Sequence, residues 1–341
     1  MVNQPKHPTI DVIILSWNRI QMTLETIENI LEQQNVSPHI WIIDQGSEPN
    51  NLKHLKDSVQ DYPNVHIKAL KENVGVPGGR NLGMEMGSAD YTVSIDNDAI
   101  FESPQALAQV VERFEQAPNM GAISFRIMNF YTEQDDELSW VYPKALKQQR
   151  DQSFITTRFC GCGHAIRRSA FERAEGYDAD LFFFWEETDL CYRLINVGYE
   201  IVYDPSIIVR HKCSPEARVR WEDQRFYYLV RNAIYLYLKY NPNSVKVAVP
   251  ALGYLVKGSY NGLLADALKG IFDGLKMYRR LSPQLAQCKD ILEFTPETKA
   301  YLQKHEFQYR GSFLNRIRTE ILTALPGYET MENPESLNSS S

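Results

Sequence analysis

Asp96 and Asp98 stand two residues apart, with Asn97 between them, directly after the strand-like run Tyr91 to Ile95. Carboxylates gathered where a strand ends suit a hard divalent cation that grips phosphate oxygens. A second acidic cluster, Glu186, Glu187 and Asp189, opens a helical stretch behind the aromatic run Leu181-Phe182-Phe183-Phe184-Trp185. An aromatic wall raises a carboxylate's pKa, and a general base needs a matched pKa and reach to its proton. One of these three acids then suits the activation of a hydroxyl, and the two clusters together point to a transferase with a diphosphate leaving group. Plainer readings stand beside these: Asp-Asn-Asp is good turn chemistry, and acids are favoured at the positive end of a helix dipole.

His211 follows the apolar Ile207-Ile208-Val209 and is a candidate to complete a metal site, although a lone histidine is more often structural. The glycine-rich segment Asn73-Val74-Gly75-Val76-Pro77-Gly78-Gly79-Arg80-Asn81-Leu82-Gly83 lacks the G-x-G-x-x-G order, which lowers a dinucleotide reading. Its Gly78-Gly79 pair, ahead of a helix beginning near Arg80, suits phosphate approach through backbone N–H groups and the guanidinium fork. Cys160, Cys162 and His164, with His211 and Cys213, also raise a zinc site, but the C-x-C spacing departs from the usual gap of two to four residues.

The elements that must position these groups alternate along the chain. Ile10 to Leu15 is an apolar, β-branched run broken only by Asp11; it leads through Ser16-Trp17-Asn18-Arg19 into a helical pattern with Leu24, Ile27 and Leu31 on one face. The unit recurs at His39 to Ile43, Val65 to Leu70 and Tyr91 to Ile95, each ending in a polar or glycine-bearing loop. Strands separated by helices predict an α/β fold with a mostly parallel sheet and a ligand crevice at the strands' carboxyl ends. Asn129 to Gln152 is polar with scattered aromatics and reads as a mobile loop over the site. Gly161 and Gly163 permit close backbone approach, Arg167-Arg168-Ser169 begins a short helix, and the chain looks helical beyond Trp221. We expect residues 1–243 to form the catalytic domain, 244–330 a helical appendage, and 331–341 a disordered tail.

Composition narrows the class. With 341 residues, 43% of them hydrophobic, the chain can bury a substantial core. Its formal charge of −7 argues against nucleic acid as a partner. Five cysteines, an odd number, and no apolar signal core from Met1 to Pro8 suggest a reduced, cytoplasmic protein. No run reaches the roughly 20 apolar residues of a spanning helix; the nearest, Val245 to Val256, holds Lys246 and is interrupted by Pro250 and Gly253.

Taken in order, these segments resemble the family 2 inverting glycosyltransferases of the GT-A fold, in the rhamnosyltransferase-like branch that serves polysaccharide assembly. The resemblance spans roughly Ile10 to Pro242 and rests on Val12 to Asn18, Trp41 to Ser47, Asn73 to Gly83, Ile95 to Asp98, Trp185 to Arg193, Gly198-Tyr199 and Val209 to His211. It implies a Rossmann-like GT-A domain carrying a C-terminal helical appendage, a nucleoside-diphosphate sugar as donor, and a glycan, polysaccharide or lipid-linked acceptor. Ser16 and Asp44 would sit around the nucleotide base and Arg80 and Asn81 near the ribose or diphosphate, with Asn18, Asn73 and Gly75 also binding the donor, and Gly161 to His164, Gly163 included, would line the donor–acceptor junction. Asp96 and Asp98 would form the motif that holds Mn2+ or Mg2+, with His211 as a further ligand. Glu187 falls at the position of the base, often aspartate in the family, with Glu186 and Asp189 as alternatives.

Rivals are a catalytically inactive carbohydrate-binding scaffold of the same fold and a nicotinamide-dependent oxidoreductase. The mixture of apolar residues with Lys246, Lys257, Lys269, Lys276, Arg279 and Arg280 allows peripheral contact with the inner face of a membrane; packing onto the catalytic domain or a homodimer interface accounts for it equally well.

Overall fold

The computed structural model describes residues 7–212, 224–306 and 321–325. Cys213, Trp221 and the expected tail at 331–341 lie outside the described residues. In chain order the elements are β1 (Thr9–Ser16), α1 (Ile20–Leu31), β2 (Ser37–Asp44), α2 (Pro49–Val59), β3 (Val65–Ala69), α3 (Gly75–Met86), β4 (Tyr91–Asp96), β5 (Ala99–Phe101), α4 (Ala106–Gln116), β6 (Met120–Asn129), β7 (Phe154–Thr156), β8 (Gly163–Arg167), α5 (Arg168–Arg173), α6 (Glu186–Asn196), β9 (Glu200–His211), α7 (Phe226–Tyr240), α8 (Ala248–Tyr260), α9 (Leu264–Gln287), α10 (Lys289–Leu292) and α11 (Pro296–His305).

One nine-stranded sheet runs in the order β3-β2-β1-β4-β8-β6-β9-β5, with β7 beside β9. The β3-β2-β1-β4 half is parallel throughout, and β6 pairs with β9 in parallel over a long register. β8 runs antiparallel between β4 and β6, and β5 and β7 run antiparallel to β9.

The first strand shows why the sheet is buried on both faces. Ile10, Val12 and Ile14 point into one core with Ile27, Ile30 and Val110, whereas Ile13 points into a second core with Met84, Leu190 and Leu194. A strand alternates its side chains between the two faces, so a continuous apolar run demands helices on each side.

The glycine-rich segment differs from its sequence reading. α3 begins at Gly75, not near Arg80, so the N–H groups of Gly78 and Gly79 belong to the helix interior. A Cβ at Gly79 would meet Leu15 and the Gln45 amide, and one at Gly83 would meet Ile13 at 2.6 Å. These glycines let α3 lie close on β1 and β2. Only Gly75 is used for its conformation: at φ +80° it turns the chain so that Val76 N–H donates to Phe182 O at 2.8 Å.

Asn129 to Gln152 lies over the site as expected, with Asp136, Leu138, Ser139 and Val141 on the cavity wall. It carries a short 3-10 turn and packs inward, with Asp136 and Tyr142 buried and Tyr142 hydrogen-bonded to Ser124. Its scattered aromatics are the reason, since Trp140, Tyr142, Phe154 and Tyr203 contact one another edge-on and stacked.

Beyond β9, α7 packs along α9, with Gly270 and Gly274 of α9 set against the α7 backbone.

Candidate active site

Strand register assembles the first cluster. β4 pairs antiparallel with β8, opposing Ile95 to Gly163, so Asp96 N–H donates to Cys162 O at 3.0 Å. β5 pairs with β9, opposing Ala99 to His211, and Lys212 N–H donates to Asp98 O at 2.9 Å. Three distant segments therefore deliver Asp96, Cys162 and His211 with side-chain donor atoms within 4.8 Å of one another. Asp98 adds a carboxylate oxygen 3.4 Å from His211 Nε2, and Asp136 receives His211 Nδ1 at 2.9 Å.

Burial alone would discharge His211, but the hydrogen bonds to Asp136 and Asp98 hold its pKa well above the usual range. Asp136 is correspondingly held below the carboxylate range: burial opposes its ionisation, and the hydrogen bond from His211 outweighs it. Cys162 is kept as a thiol by burial and by the neighbouring Asp96 charge. Carboxylates and an imidazole suit Mn2+ or Mg2+, whereas a protonated thiol contributes little to so hard an ion. The residues therefore fit a divalent cation of that class.

The second cluster is aimed by a strained turn. Phe182, Phe184 and Trp185 all lie at positive φ, 62°, 70° and 72°, a region that bulky residues rarely enter. α7 imposes it. Asn232 Nδ2 lies 2.8, 2.7 and 2.9 Å from the carbonyls of Leu181, Phe183 and Phe184, Arg231 donates to Leu181 O at 2.7 Å, and the Trp185 indole donates to Leu229 O. Such strain persists only where the surroundings over-determine it, and it concentrates at functional sites.

α6 then starts with Glu186 and Glu187 on the cavity wall. Glu187 accepts from Arg80 Nη1 at 2.9 Å, and Arg80 Nη2 donates to Gly161 O at 2.8 Å. Glu186 is 3% exposed with Oε2 unbonded. Burial first, then the adjacent Glu187, raise its pKa well above the carboxylate range. Asp189 is parted from them. It is fully buried, with Arg193 and Lys239 at 2.7 and 2.8 Å and the Tyr240 hydroxyl at 2.8 Å, and these partners hold its pKa at about 2 despite burial.

A cavity of about 650 Å³ joins the two clusters, within the size of small-molecule sites. Of the residues singled out from sequence, Asn73, Gly75, Asp96, Asp98, Gly161, Glu186, Glu187 and His211 are on its wall. Ser16, Asn18, Asp44, Arg80, Asn81, Gly163 and Asp189 are not. Ser16 and Asp44 are fully buried at paired strand ends; Asp44 accepts from the Ser47 hydroxyl, and Asn18 accepts from Glu48 N–H and the Asn51 amide. Asn81 is latched to Tyr177 through both its amide atoms, and Gly163 is packed among Ile127, Phe125 and Val209. His164 turns into the core, stacked on Phe159 and bonded to Tyr177, so among the described residues the zinc set brings Cys162 and His211 together without His164.

Sequence reading missed Arg19, whose Nη1 meets Asp98 Oδ2 at 2.7 Å, together with Arg158, Cys162 as a neighbour of Asp96, and Asp136. Arg19 had a signal, lying two residues behind Trp17 in the loop that ends β1. Asp136 had none, because only tertiary packing pairs it with His211.

Comparison with known proteins agrees with this architecture. The family model described as "Glycosyl transferase family 2" matches residues 11–174. An uncharacterized protein of Haemophilus influenzae is 26% identical over 178 residues, covering 51% of this chain and 95% of its own. A glucosyl-dolichyl phosphate glucuronosyltransferase of Haloferax volcanii is 23% identical over 216 residues, covering 60% and 68%. Among solved structures, the mannosyltransferase PcManGT of Pyrobaculum calidifontis, in complex with GDP-Man and Mn2+, superposes with a TM-score of 0.53 at 16% identity over 88% of this chain and 86% of its own. At that identity the superposition speaks for the fold. Residues 11–174 thus match the glycosyl transferase family 2 model, within a mixed α/β fold of the GT-A kind.

Proposed function

We propose that this protein is an inverting glycosyltransferase that moves a sugar from a nucleoside-diphosphate donor to an acceptor hydroxyl in one displacement. The single observation that carries this reading is the facing of two acidic sets, Asp96 with Asp98 and Glu186 with Glu187, across one cavity. Asp96, Asp98 and His211 would hold Mn2+ or Mg2+, which supplies neutralisation of charge on the departing diphosphate.

Glu187 is the residue we assign to the acceptor proton. It is 20% exposed and on the wall, within reach of an acceptor in the cavity, whereas Glu186 is 3% exposed. Arg80 holds Glu187 in place: one N–H of Nη1 goes to Glu187 and one of Nη2 to Gly161 O, so it orients the base. Inversion follows from attack opposite the leaving group. The domain reading places this chemistry in residues 1–243 and gives the helices beyond a supporting role. The relative named for a dolichyl phosphate substrate favours a lipid-linked acceptor.

The test pairs binding with turnover. A thermal-shift panel of UDP-, dTDP- and GDP-sugars with and without Mn2+ should show stabilisation of about 2.7 kcal/mol at roughly 100 times Kd, lost in Asp96→Asn. Glu187→Gln should keep that shift while transfer falls by about 10²–10⁴. Undiminished turnover would remove Glu187 from the role, and no response to any donor would favour the inactive scaffold.

A further inference from the structure

α8 and α9 leave a continuous apolar face in solvent. Val245 (88% exposed), Val249 (72%), Leu252 (62%) and Val256 (40%) follow helical spacing along α8 and the turn before it, and Leu268 (54%) and Phe272 (67%) continue the face on α9. The opposite faces are filled: Gly258 and Ala267 meet at the α8–α9 contact, and Gly270 and Gly274 press against α7. Soluble surfaces scatter their apolar residues, so a run of this kind marks an interaction surface.

Charge selects the occupant. Between residues 244 and 282 there are six basic and two acidic side chains in a chain of net charge −7, and one of the six, Arg280, is paired with Asp180 at 2.6 Å. One of the two acids, Asp273, is occupied by the Tyr227 hydroxyl at 2.9 Å. Lys246 and Lys269 sit beside the exposed aliphatics. Two copies meeting through this face would set these excess cations against each other. Position matters as well. Lys269 lies over the Tyr227 ring, and the next residue, Tyr228, lines the catalytic cavity, so α9 is joined to the cavity wall through the first turn of α7.

We propose that this face seats the protein on an anionic lipid surface, with the apolar residues in the interface and the lysines at headgroup level. An interfacial helix of this kind binds through buried apolar area plus attraction to anionic lipid, and it presents the cavity to hydroxyls carried at the membrane. Among the described residues no helix is long and apolar enough to cross a membrane, which agrees with seating at the surface.

Sedimentation of the full chain with phosphatidylcholine vesicles, with and without phosphatidylglycerol, tests this without any donor sugar, so its failure leaves the transferase reading intact. Binding should require phosphatidylglycerol and weaken in about 0.5 M salt. Leu252→Asn with Phe272→Asn should reduce partitioning roughly tenfold or more at an unchanged melting midpoint, because both sites are exposed, and Val249→Asn provides an independent variant. Absence of binding, equal binding by the variants, or lipid-free dimers that these substitutions dissolve would overturn the proposal.

Discussion

Arg80 and Glu187, 107 residues apart in the chain, meet at 2.9 Å with Gly161 O on the other branch of the guanidinium. Burial works against the charge on Arg80, but Tyr177, Glu187 and Glu186 around it raise its pKa, so it is cationic at any working pH. A Cβ at Gly161 would fall on Glu187 Oε1. Gly161→Ala should therefore displace Glu187 and lower kcat by about 10²-fold while the chain still folds, because the colliding atom ends a flexible side chain. Steady-state kinetics with a fixed donor measure it; activity within twofold of wild type would separate the pair from the chemistry.

Glu186 supplies a pH signature. Its folded-state pKa is raised well above its unfolded value, so between those two values the folded state binds more protons and stability declines as pH rises. Glu186→Gln keeps the shape and removes the proton. The variant should be at least as stable as wild type near pH 8, and denaturant unfolding from pH 5 to 9 should show a shallower downward slope, the remainder belonging to groups such as His211 whose pKa is also raised.

Asp189 behaves oppositely. Its pKa of about 2 lies below the ordinary 3.8, so its stabilisation is complete above pH 4 and disappears as pH falls through 2. The shift corresponds to about 2 kcal/mol. Asp189→Asn should cost about 3 kcal/mol by leaving Arg193 underpaired in the interior, with a smaller effect on turnover per folded molecule. A fully stable but inactive variant would return Asp189 to the list of candidate bases.

Asn232→Ala removes the amide that holds the Leu181 to Phe184 carbonyls and should let the left-handed turn relax. We expect kcat to drop about tenfold or more, with donor affinity at the Asp96 cluster changing less, read by kinetics beside calorimetric donor binding.

The local parts of this protein were legible from residue order. Alternating apolar runs implied strands with helices on both faces, and acids behind a strand and at a helix start marked two candidate clusters, because side-chain period and terminal preference are local properties. Helix α3 was misplaced for a related reason: glycines that serve close packing against Ile13 and Leu15 read like a phosphate loop until the partner strand is known. Only the tertiary structure decided which candidates work together. It separated Asp189 from Glu186 and Glu187, although they share one helical turn, because Arg193 and Lys239 draw Asp189 into the interior. It brought Cys162 and His211 to Asp96 and Asp98 through antiparallel register, packed Asp136 against His211, and left the outer faces of α8 and α9 exposed among the described residues. Register and burial arise from contacts between distant segments, which local periodicity does not encode.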